Sequence, residues 1–166
     1  MQDEATEWQR VAEKISKALY GPVRSQVSLS GGEIADIVVW DSSIRKDARG
    51  AVKVAKRMIE CKLSAQDSWD DVIEKYFKYC SVLEIWYLRT SHYSLKIALP
   101  KTPSGVICKG PYELLSALLA RGAWGKHWVA DLESRKALAK EMWNLKWKAA
   151  THPKDLIVYP RKSLIR

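Results

Sequence analysis

The chain has 166 residues, 47% of them hydrophobic, with a formal net charge of +9. That is enough for one full core, so a single domain over residues 1–166 is the expectation. No apolar run approaches the roughly 20 residues needed to span a bilayer, and the acidic, polar "MQDEATEWQR" does not follow the pattern of a secretory signal. The expectation is therefore a cytoplasmic (intracellular) protein with no membrane partner.

The charge is unevenly placed. Residues 1–100 hold 15 Lys+Arg against 14 Asp+Glu, whereas residues 101–166 hold 13 against 5. A basic half points to a polyanion such as nucleic acid, or to a solvated helix face. Cys61, Cys80 and Cys108 are odd in number and form no CxxC, which reads as reduced thiols. His92, His127 and His152 show no metal-ligand spacing with them.

In chain order, Trp8, Val11, Ala12, Ile15 and Leu19 recur at helical spacing between Glu4 and Tyr20, and "GP" ends that helix. "VRSQVSL" reads as extended, "SGG" at 30–32 as a turn and "EIADIVVWD" as a strand. "SSIRKDARG" is a polar connection leading to a second long strand, "AVKVAKRMIECKLS". A helix from about Ala65 to Cys80 follows, with Trp69, Val72, Ile73, Tyr76 and Phe77 in register. "VLEIWYL", "YSLKIAL" and "GVICK" are further strand candidates. "PYELLSALLARG" reads as a helix stopped by Gly122, and a last helix spans about His127 to Ala149. "THP" breaks it, and "DLIVYP" reads as a short final strand. The order predicts an α/β domain, a mixed sheet flanked by helices, with a core over about 4–110 and a basic helical C-terminal extension over about 111–166.

"MIECKLS" at 58–64 places two ionic residues inside an apolar strand. Residues i and i+2 of a strand share a face, so Glu60 and Lys62 project together while Ile59 and Cys61 face the other way. An antiparallel hairpin centred near Ala48 puts Asp36 opposite Glu60. Two carboxylates and an amine then share one patch. Such a set suits a hard divalent cation, which prefers oxygen ligands, and a lysine placed to orient or deprotonate a water. A cross-strand ion pair that merely stabilises the surface gives the same pattern.

"SGGEIADIVVW" followed by "MIECKLS" resembles the PD-(D/E)xK nuclease superfamily, within it most closely the archaeal Holliday junction resolvases. The likeness covers about residues 4–88. It implies a restriction-endonuclease-like sheet, a Mg²⁺ (or Mn²⁺) cofactor, DNA, branched or not, as substrate, and a homodimer. It further implies Asp36 and Glu60 as metal ligands together with the backbone carbonyl of Cys61, Lys62 as catalytic lysine, and Ser30 as the turn serine near the site. Ala35 stands where the motif's name has Pro. Glu7, bordering the buried helix face, is favoured over Glu13 as an additional ligand, with a dipole-favoured charge near a helix N-terminus as the alternative. Gln66 and the Lys75/Tyr79 pair match a Gln-x-x-x-Tyr pattern of many relatives only loosely.

Beyond residue 100, Lys136, Lys140, Trp143, Lys146, Trp147 and Lys148 interleave cations and aromatics. The four lysines are candidate nucleic-acid contacts, and a basic-edged dimer helix is the equal alternative. Three functions follow: a Mg²⁺-dependent DNA endonuclease, a catalytically inactive nucleic-acid-binding scaffold, and a metal-independent RNA endonuclease, which the Asp–Glu–Lys set disfavours.

Overall fold

A computed structural model describes residues 3–39, 45–46, 52–89, 101–120 and 130–149. Helix α1 spans Glu4–Tyr20, with Asp3 as its N-cap accepting from the Thr6 amide at 2.8 Å. It ends at Gly21, whose φ of 95° suits a residue without Cβ. Strands β1 (Val23–Ser28) and β2 (Ile34–Val39) form a hairpin over the 30–32 turn. A two-residue strand β3 (Arg45–Lys46) lies within the segment read as a polar connection and pairs with β4 (Val52–Ser64).

The helix expected over 65–80 is shorter: α2 covers Asp70–Tyr76 and a 3₁₀ turn covers Phe77–Tyr79. The Ser68 hydroxyl accepts from the Asp70 amide at 3.1 Å, and Ala65 still bonds to Arg89 of the next strand. The apolar periodicity there marks a buried stripe that begins at Trp69, and the polar residues before it bond locally instead. Strands β5 (Cys80–Arg89) and β6 (Val106–Lys109) precede α3 (Pro111–Leu119) and α4 (Leu132–Ala149). The candidate strand at 93–99, the Gly122 stop, the three histidines and the 155–160 strand lie outside the described residues.

The mixed sheet has the order β1-β2-β4-β5-β6, antiparallel across β1-β2-β4 and parallel across β4-β5-β6. Side-chain alternation divides it between two cores. Ile37, Ile59, Trp86 and Leu88 face α1, α3 and α4. Val38, Met58, Ile85 and Tyr87 face α2 with Trp69, Val72 and Tyr76. Helix α4 is tied to α3 by the buried Arg135, whose guanidinium donates to the carbonyls of Leu118 (2.8 Å) and Ala120 (3.0 Å), meeting acceptors that a helix end leaves unpaired. No helix among the described residues is long and apolar enough to cross a membrane.

Candidate active site

The sheet register decides which ionic residues meet. Ile37 pairs with Ile59 and Val38 with Met58. Continued by one residue, this places Asp36 opposite Glu60, as the hairpin arithmetic expects. The Asp36 amide donates to Glu60 Oε1 at 3.0 Å, and the amide of the next residue on β4, Cys61, donates to Asp36 Oδ2 at 2.9 Å. The Gln9 side chain reaches the Asp36 carbonyl at 3.4 Å. Because β4 alternates, Glu60 and Lys62 stand on the α2 side with Met58, while Cys61 turns towards α1.

Glu60 is only 3% exposed. Burial, then the like charge of Asp36, pushes its carboxyl up to about 8, against the Asp36 amide and Lys62. Burial also raises Asp36, although the Cys61 amide, Glu60 and Lys62 oppose it. Two desolvated carboxyls side by side cannot both ionise cheaply. The pair needs a shared proton or a cation, and its chemistry fits a hard divalent ion. Among the described residues no group of three or more His, Cys, Asp or Glu side chains is arranged to hold a metal. A cation here would draw its other ligands from backbone oxygen, with the Cys61 carbonyl the expected one, and from water. Burial and the two carboxyls keep the Cys61 thiol protonated, well above its ordinary range.

Residues that sequence reasoning did not assign surround the pair. Burial, Glu60, Asp36 and Glu33 together raise the Tyr76 phenol to about 12, so it stays a donor, and it bonds the Ile34 carbonyl at 3.3 Å. Glu33 accepts from the Tyr79 hydroxyl at 3.1 Å and feels the charges of Lys78 and Lys75. Lys62 and Tyr76 also line a cleft of about 310 Å³ together with Asp71, Val72, Glu74 and Lys75. Lys75 is thus exposed beside the site, whereas Tyr79 is buried and Gln66 is exposed ahead of α2. Glu33 and Tyr76 were legible only as the first residue of a strand and a core aromatic, because nothing in the local pattern says that the fold would bring the two beside the pair.

Other expected residues lie elsewhere. The structure does not bring Glu7 into the pair: its carboxylate is 3.6 Å from Lys148 of α4, on the opposite side of the sheet. A helix face fixed by Val11 and Ile15 turns Glu7 towards α4 and away from β2. Glu13 pairs instead with Lys17 at 3.4 Å. Ser30 is exposed in the turn before β2. Lys146 is buried at 7%, its ammonium over the Trp143 and Trp147 rings (5.7 and 4.7 Å), so it is withdrawn from the exposed row expected to meet phosphate. Lys136 pairs with Glu133 at 3.5 Å, and Lys140 is exposed beside a groove between α3 and α4.

A second buried ionic centre went unforeseen. Glu84, fully buried on β5, receives Trp86 Nε1 at 2.8 Å, Lys109 Nζ at 3.0 Å, the Tyr20 hydroxyl and Arg57. Burial raises its carboxyl, but Lys109, Tyr20, Trp86 and Arg57 outweigh that and hold it below the ordinary range. These donors come from α1, β4, β5 and β6, so only tertiary structure assembles them.

Fold and site together define an α/β protein with a desolvated carboxyl pair beside a lysine. No family model matches the chain, and no curated protein or solved structure matches it.

Proposed function

We propose that the chain is a divalent-metal-dependent endonuclease that hydrolyses DNA phosphodiester bonds, built on a restriction-endonuclease-like sheet. The observation that carries this reading is the meeting of Asp36 and Glu60 across β2 and β4, with Lys62 on the same face of β4. The N-terminal helix, the turn at 30–32, the strand carrying Asp36 and the strand carrying Glu60 and Lys62 follow in the order that the PD-(D/E)xK resemblance implies, and this supports the reading.

In this reading Asp36 and Glu60 would hold Mg²⁺ or Mn²⁺, which when bound would supply charge neutralisation and a more acidic water. Lys62 orients that water and offsets the charge that develops on the phosphoryl oxygens. Water adds to phosphorus as the bond to the 3′ oxygen breaks, leaving 5′-phosphate and 3′-hydroxyl ends. The Cys61 amide fixes the Asp36 carboxylate, so the ligand is oriented before a cation arrives. A branched, four-way junction is the substrate that the resolvase likeness favours, cut by a homodimer with two such sites.

The test is cleavage of labelled linear, nicked and four-way DNA with Mg²⁺ by the wild type, Asp36→Ala and Lys62→Ala. Metal-dependent cutting by the wild type, lost in both variants, is the expected result. Tight binding with no cleavage under Mg²⁺ or Mn²⁺ would instead favour a non-catalytic nucleic-acid-binding protein. That alternative draws on one observation, the engagement of Glu7 with Lys148, so that among the described residues the pair has no third side-chain carboxylate ligand.

A further inference from the structure

Gln26 is the one non-glycine residue with positive φ among the described residues, at 53°. It lies inside β1, where an extended backbone is expected, and it sits at the register position facing Asp36. The β1–β2 pairs run Ser25 with Ile37 and then Val27 with Ala35, passing over Gln26 and Asp36. The register is kept on both sides, but the facing of the side chains changes across it: Ile37 lies in the α1-side core, whereas Ala35 and its partner Val27 lie in the α2-side core, so the distortion centres on the Gln26–Asp36 position beside the carboxyl pair.

The conformation has a cost and a consequence. A left-handed backbone is unfavourable for a residue with a Cβ, and such strain persists only where the surroundings enforce it. In a regular antiparallel pair, a side chain at position 26 would share the face of Asp36, with Cβ atoms about 4.5–5.5 Å apart. The left-handed turn rotates position 26 out of that alternation, and Gln26 is exposed on the outermost strand. The ladder accordingly has no pair between position 26 and Asp36.

We propose that Gln26 is a positioning residue whose left-handed backbone keeps the β1 side of Asp36 open to ligands of the carboxyl pair. The inference rests on the reading of Asp36 and Glu60 as the metal-binding site. Two substitutions separate its parts. Gln26→Gly keeps the left-handed backbone without the Cβ penalty, and Gln26→Val favours extended backbone and restores a branched neighbour beside Asp36.

The experiment measures Mn²⁺ affinity by calorimetry, the thermal midpoint in chelator, and DNA cleavage, for wild type, both variants and Asp36→Ala. Gln26→Gly should keep wild-type Mn²⁺ affinity with an equal or higher midpoint. Gln26→Val, measured well below its midpoint where the chain is folded, should bind Mn²⁺ at least tenfold more weakly, a loss that a merely structural residue would not give. Wild-type affinity in Gln26→Val, or loss of affinity and midpoint together in both variants, overturns the proposal. If Mn²⁺ affinity follows this order but no DNA is cut, the nuclease reading fails and the positioning role stands. If Gln26→Val binds normally while Asp36→Ala does not, the positioning role fails and the site stands. A wild type that binds no Mn²⁺ overturns both.

Discussion

At Glu60, burial and the adjacent Asp36 set a carboxyl that titrates near 8 in the fold against 4.5 as its ordinary value. The sign of the pH dependence follows. A raised folded value means that the folded chain holds the proton more tightly than the unfolded one, so this contribution to stability is full below about 4.5 and is lost as pH rises through about 8. In chelator, the thermal midpoint should fall across that window. Glu60→Gln should flatten the fall, and Mg²⁺ should raise the wild-type midpoint most at its upper end. Glu84 works in the opposite sense. Its lowered value gives stability that is present above 4.5 and lost as pH falls through the folded value. Glu84→Gln leaves Lys109 and Arg57 facing a neutral group. With those cations partly exposed, at 22% and 27%, urea denaturation should show a loss of about 2–3 kcal/mol, below the full cost of breaking a buried pair.

At the level of the element, the sequence periodicities carried real information, and their failures have causes. Helix α1 keeps the bounds expected from its apolar stripe, because that stripe packs against the sheet and its ends carry a cap and a glycine. Helix α2 loses its first turn because Ser68 and the residues around it have local partners. In α4 the interleaving of lysine and tryptophan read equally as a phosphate-facing helix and as a basic-edged dimer helix. Packing against α1 and α3 instead buries Met142 and Leu145 and draws Lys146 inward over two indoles. Met142, with no exposed surface, is the anchor of that packing. Met142→Ala should cost about 2–5 kcal/mol in chemical denaturation, whereas Lys140→Ala on the exposed side should leave the midpoint unchanged.

Across the whole molecule, the sheet separates two ionic faces. Asp36, Glu60 and Lys62 lie on the α2 side, where Lys75 and Lys78 are exposed, and α4 covers the other side. A nucleic acid within reach of the carboxyl pair would therefore meet Lys62, Lys75 and Lys78 before any lysine of α4. Paired Lys75→Ala and Lys78→Ala substitutions should weaken DNA binding and lower the slope of log K against log salt by about 2. Lys136→Ala with Lys140→Ala should leave that slope unaltered. Equal effects from both pairs, measured by fluorescence anisotropy across a salt series, would mean that α4 joins the interface.

Local pattern was enough to determine, among the described residues and β3 aside, the order of helices and strands and the meeting of Asp36 and Glu60 with Lys62 on the same face of β4. Strand alternation and a hairpin centre are short-range rules, and a few residues suffice to state them. The turning of Glu7 to Lys148, the burial of Lys146, the assembly of donors around Glu84 and the left-handed backbone at Gln26 were decided by tertiary structure alone. Each depends on which face of one element meets another far along the chain, and on electrostatics and strain that exist only once those faces have closed.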